Sequence, residues 1–173
     1  MPGRPGRIVA VFRIVFFHPE IPGNTGNAIR LAANTGCELH LIEPLGFSLE
    51  DRYLRRAGLD YHDLAEVRIH RDLEAAWQAL APERVHAFTA RARLRHTDVS
   101  YAAGDVLLFG PESVGLPSEV LADRRITGRV RLPMVPASRS LNLTNTASVA
   151  VYEAWRQHDF AGSGSGQPLA DQQ

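Results

Sequence analysis

The chain is expected to be an α/β protein, a mostly parallel sheet flanked by helices. Short, nearly unbroken apolar runs alternate with helical patterns along its length. Runs such as Arg13–Phe17, Leu39–Ile42 and Asp105–Phe109 do not alternate apolar with polar, which is the mark of strands covered on both faces. A length of 173 residues with 45% hydrophobic and 22% charged residues suits one domain with a sizeable core. No internal repeat is visible.

Each element has a local reason. Arg13–Phe17 is β-branched and aromatic, and His18-Pro19 ends it. Asn24 to Thr35 reads as a helix with Asn24 as N-cap and Gly36 as its left-handed stop. Leu39–Ile42 is a strand closed by Glu43-Pro44. Glu50–Ala57 reads as a short basic helix ending at Gly58. Val67–His70 reads as a strand and Asp72–Leu80 as a helix capped by Asp72. Val85–Thr89 and Asp105–Phe109 are buried strands, the second leading into Gly110-Pro111. Pro117–Ala122 reads as a helix and Arg129–Leu132 as the last strand. The final helix spans about Leu141 to Gln157, with Leu143, Ala147, Ala150, Val151, Ala154 and Trp155 on one apolar face. Val149 and Tyr152 widen that face, so the helix is expected to be buried on two sides, inside its own fold or against a partner. Residues 1–10 read as a flexible extension, 11–160 as the single domain, and 161–173 as a disordered Gly/Ser tail.

Composition excludes some classes. No apolar run reaches the roughly 18 residues of a membrane span, and the N-terminus does not read as a secretory signal. The single Cys37 fits a reducing, cytoplasmic setting and a packed apolar role. Net charge is zero, and all 19 basic residues are Arg. Arg52, Arg55 and Arg56 cluster beside Tyr53, and Arg91, Arg93 and Arg95 alternate. Such clusters grip phosphates or form a solvated surface. The seven His residues are scattered, the nearest pair in sequence being His62 and His70, so no metal-ligand spacing is visible.

Three separated segments share one chemistry: Asn24-Thr-Gly-Asn-Ala-Ile-Arg30, Phe109-Gly-Pro-Glu-Ser-Val-Gly-Leu-Pro117 and Arg139-Ser-Leu-Asn-Leu-Thr-Asn145. Each combines small residues, which let a ligand approach the backbone, with polar groups able to hold it. The Gly-rich turn of a dinucleotide-binding fold is missing from the first strand; Gly-x-Gly-x-Gly occurs only in the tail. In this order the segments resemble the three motifs of the SPOUT-class, SpoU-like RNA 2′-O-methyltransferases. Over roughly residues 11–160 the chain is most similar to the small subfamily acting on the tRNA wobble nucleotide.

That resemblance implies the SPOUT fold with a C-terminal deep trefoil knot, a homodimer with active sites at its interface, and S-adenosyl-L-methionine as cofactor without metal. It implies cofactor contacts at Phe88, Gly110, Leu132, Ser140 and Asn142. It assigns catalysis to Arg30 with Asn24 and Glu112, RNA contacts to Arg30, Arg52, Arg55 and Arg56, and dimer contacts to Tyr152 and Trp155. Arg30 is either a general base or a phosphate clamp, since a guanidinium is ordinarily protonated; Glu112 and water are alternatives for the base. The implied substrate is nucleotide 34, C or modified U, in the anticodon loop of leucine tRNAs, an unstacked target of the kind proteins read in RNA. Val114 stands where relatives often carry Arg or Lys, which leaves the substrate more open than the reaction. A methyltransferase for another tRNA site or for ribosomal RNA, and a non-catalytic RNA-binding protein of the same fold, are the competing readings.

Overall fold

The structure, a computed structural model, describes residues 12–50, 54 and 67–164. Among these, seven parallel strands form one sheet: β1 Arg13–Phe17, β2 Glu38–Ile42, β3 Val67–His70, β4 Val85–Phe88, β5 Leu94–Arg95, β6 Val106–Phe109 and β7 Gly128–Arg131. Their order is β3-β2-β1-β6-β4-β7-β5. The helices are α1 Pro22–Thr35, α2 Leu73–Leu80, α3 Ser118–Leu121 and α4 Leu143–Arg156.

The continuous apolar strands are explained by two cores. On β1, Ile14 and Phe16 join α1 and α4 on one face, while Val15 and Phe17 join α2 and α3 on the other. β6 divides likewise, with Leu107 and Phe109 on the first face and Val106 and Leu108 on the second. Burying one such side chain contributes about 1.5–3 kcal/mol. At the base of the sheet, Asp105 accepts hydrogen bonds from Arg84 Nε at 2.9 Å and Ala102 N at 3.0 Å and faces His86 Nε2 at 2.9 Å.

Several expectations need correction. Asn24 is not the cap of α1; the helix starts earlier, with Ile21 at the cap position and Pro22 in its first turn. Proline suits that place because it has no N–H to leave unpaired. Trp155 is buried within its own chain, its ring edge against Phe160 and its Nε1 donating to Ala161 O at 3.0 Å. Tyr152 and Val149 are 46% and 43% exposed, so α4 is buried on one side and apolar on the other. The scattered histidines are not all apart in space: His40 Nδ1 lies 3.0 Å from His70 Nε2 across β2 and β3. The extension at 1–10, residues 51–53 and 55–57 of the expected basic helix, and the tail beyond Gly164 lie outside the described residues; Leu54 is buried. Among the described residues no helix is long and apolar enough to cross a membrane.

Candidate active site

All the motif loops leave the same end of the sheet. A parallel sheet places its strands' C-terminal ends together, and ligands of open α/β folds bind there. β1 is followed by His18, which takes φ 49° and turns the chain into Pro19 and Glu20. β4 ends at Phe88, β6 at Phe109, and β7 runs into the loop that reaches α4. These loops enclose a cavity of about 330 Å3.

Four of the five expected cofactor residues, Phe88, Gly110, Leu132 and Ser140, line this cavity. Phe88 stacks on Phe109 with ring centres 4.7 Å apart, giving it a flat apolar floor. Gly110 is forced by sterics: a Cβ there would overlap the backbone of Gly115 and Leu116, because the second motif folds back over its own strand end. The turn is closed by Gly115 N donating to Pro111 O at 2.9 Å. A mixed lining, with Phe88, Phe109, Leu116 and Leu132 on the apolar side and Thr89, Arg91, Glu112, Ser113, Arg131 and Ser140 on the polar side, suits a nucleoside-sized ligand with an apolar base and a polar sugar.

Asn142 does not line the cavity. Its Oδ1 caps α4 by accepting from Thr144 N at 2.9 Å and Asn145 N at 3.2 Å, and its Nδ2 donates to Asn24 Oδ1 at 2.7 Å. Asn24 Nδ2 in turn donates to Glu112 Oε1 at 3.0 Å, and Thr144 Oγ1 donates to Asn24 O at 2.6 Å. So Asn142, Asn24 and Glu112 form one chain of side-chain hydrogen bonds that ties the three motifs together. Glu112 also accepts from the backbone N–H groups of Glu20 at 2.8 Å and Ile21 at 3.1 Å. Its oxygens are committed to holding the start of α1, where an acceptor complements the helix dipole. Glu112 also lines the cavity.

Arg30 lies apart. It is exposed on α1, whereas Asn24 is buried, and it is not among the residues lining the cavity. Arg91 does line it, while Arg95 is held by Asp98 through two hydrogen bonds of 2.9 Å. Arg52, Arg55 and Arg56 lie outside the described residues. Among the described residues no group of three or more His, Cys, Asp or Glu could hold a metal ion. Sequence reasoning overlooked Glu20, which accepts from Ser113 N at 3.0 Å and Ser113 Oγ at 2.7 Å.

A sequence model of the SpoU rRNA methylase family matches residues 11–152, all three motifs included. The chain belongs to the SpoU methylase family. Among curated relatives, this SpoU methylase is 56% identical to a protein of Methylovorus glucosotrophus named tRNA (cytidine(34)-2′-O)-methyltransferase, over 88% of this chain and 99% of the relative. It is 52% identical to the protein of the same name from Escherichia coli K12, over 88% and 98% of the two chains. A solved structure reported as giving insights into 2-OH methylation of C/U34 on tRNA matches with a TM-score of 0.79 and 46% identity, over 86% of this chain and 96% of that one. An AdoMet-bound rRNA methyltransferase from Sinorhizobium meliloti matches with a TM-score of 0.71 and 25% identity, over 88% and 60%.

Proposed function

We propose that this SpoU methylase methylates the ribose 2′-hydroxyl of nucleotide 34 in the tRNA anticodon loop, using S-adenosyl-L-methionine, with leucine isoacceptors as substrates in the cytoplasm. The observation that carries the reading is the joining of three distant motifs through Asn142, Asn24 and Glu112 beside one cavity. The names of relatives more than 50% identical over nearly their whole length support the substrate.

Phe88, Leu132, Ser140 and the Gly110–Gly115 backbone would hold the cofactor. When bound, S-adenosylmethionine supplies an electrophilic sulfonium methyl group. The chain's own work is to orient the hydroxyl and receive its proton, and positioning alone is worth roughly 7–11 kcal/mol. Arg30 is the residue for this task, as general base or as a clamp on the RNA phosphate. Arg30 is exposed and does not line the cavity of its own chain, which supports a homodimer in which a second copy completes the site, docked on the exposed Val149 and Tyr152 face of α4. The trefoil knot that membership of this family implies is part of the same proposal.

The test is methylation of leucine tRNA by purified protein, with Arg30→Ala alongside. Arg30→Ala is expected to abolish transfer and leave cofactor affinity within about twofold, since both candidate roles act on the RNA side. Loss of a clamp lowers the salt slope of RNA binding by about 1, whereas loss of a base leaves it unchanged. Full activity in Arg30→Ala, or methylation away from nucleotide 34, would refute the assignment.

A further inference from the structure

We propose that Glu20 is a positioning residue that fixes the wall of the cofactor cavity by clasping Ser113. The idea rests on the cofactor reading above and extends it to a residue in none of the three motifs. The geometry is reciprocal. Glu112, in the loop after β6, reaches the backbone N–H groups of Glu20 and Ile21 at 2.8 and 3.1 Å. Glu20, in the loop after β1, reaches back to Ser113, accepting from its N–H at 3.0 Å and its hydroxyl at 2.7 Å. Two carboxylates 92 positions apart each bind the other's loop. Hydrogen bonds accepted by carboxylates are stronger than neutral ones, and two on one residue fix its orientation as well as its place.

The backbone of Glu20 is wedged from the opposite side. A Cβ at Gly46 would sit 2.8 Å from Glu20 Cα and O, and Gly46 N donates to Pro19 O at 2.9 Å. Glu20 therefore stands between the β2 loop and the second motif, with its side chain committed to the latter. Ser113 lines the cavity, and its neighbours Val114 and Gly115 complete the same wall. Ser113 and Val114 are exposed side chains outside the core, whereas Gly115 is held by its turn bond to Pro111 O and its backbone's close approach to Gly110. The clasp supplies the constraint that packing does not.

The experiment compares wild type, Glu20→Ala, Ser113→Ala and the double variant in methyl transfer and in calorimetric binding of S-adenosylhomocysteine. Glu20→Ala is expected to raise the cofactor KM and the product Kd about tenfold or more, since small misplacements of a binding wall are costly. The KM for tRNA should stay within about twofold. The double variant should be no worse than Glu20→Ala alone, because both remove one interaction. Glu20→Gln keeps one acceptor oxygen and should recover part of the loss. In the ligand-free protein, amide exchange at Ser113 through Gly115 should quicken in Glu20→Ala while β1 and β6 stay protected. Unchanged affinity with unchanged exchange, or multiplicative effects of the two single variants, would overturn the proposal. Failure of wild type to bind S-adenosylhomocysteine would remove the cofactor reading, and the exchange measurement then decides the clasp by itself.

Discussion

Gly110 leaves no room for a methyl group, since the backbone of Gly115 and Leu116 occupies the space a Cβ would take. Gly110→Ala should push the second motif outward, weakening S-adenosylhomocysteine binding by about tenfold or more and lowering the thermal midpoint as the backbone of Gly115 and Leu116 is displaced. Wild-type affinity in that variant would contradict the tight fold-back. The need for glycine was legible in the motif, because a strand-ending Gly-Pro followed by a second Gly announces a close approach. The role of Asn24 was not. Near a helix start, Asn is most simply a cap, and only the fold brings Glu112 and Asn142 to its amide. Glu20 was invisible for the same reason: its partner Ser113 is 93 positions away, and a lone loop acid carries no local pattern.

At the scale of elements, the strands were the most readable part. β1 and β3 match their expected ranges, and the other buried strands shift by a residue or so, because apolar runs bounded by Pro, Gly or Asp leave few alternatives. β5, with only two residues in an Arg-rich stretch, has no such run and passed unseen. The amphipathic pattern of α4 gave its inner face correctly but could not show that the turn at Phe160 and Ala161 covers Trp155. Two predictions separate the two faces. Trp155→Ala should cost about 3–5 kcal/mol of stability, as truncating a buried aromatic does, read by urea unfolding. Tyr152→Asp should leave the monomer fold intact and weaken self-association and activity together. A wild-type sedimentation mass of one chain at micromolar concentration would remove the dimer.

The whole molecule has a binding end and a bracing end. Loops with the motifs leave the tops of the strands, while Arg84, His86 and Asp105 tie β4 and β6 at the bottom. Burial alone would push the Asp105 carboxyl up, but hydrogen bonds from His86 and Arg84 outweigh it and hold it at about 2. His40 is driven down to about 4 by burial, only partly offset by Glu38, with His70 and Arg68 adding to the fall. His40 therefore stays neutral in the fold, while the unfolded chain gains a proton below about 6.5. Stability should drop as pH falls from about 6.5 toward 4, and again from about 3.8 toward 2 as Asp105 is protonated. Thermal midpoints should be level just above neutrality and decline below it; a flat profile from pH 7 to 4 would be inconsistent with a neutral buried His40. The rim formed by β5 bears on solubility. An open sheet polymerises when a long unpaired strand recruits another. Here the rim strand is two residues long, bears Arg95, and stops at once in the turn His96–Asp98, where Asp98 grips the Arg95 guanidinium. So short and charged a margin offers an incoming strand almost no ladder on that side of the sheet. Replacing Arg93 and Arg95 with Val would lengthen and neutralise that margin. Light scattering should then rise on mild heating, well before wild type clouds.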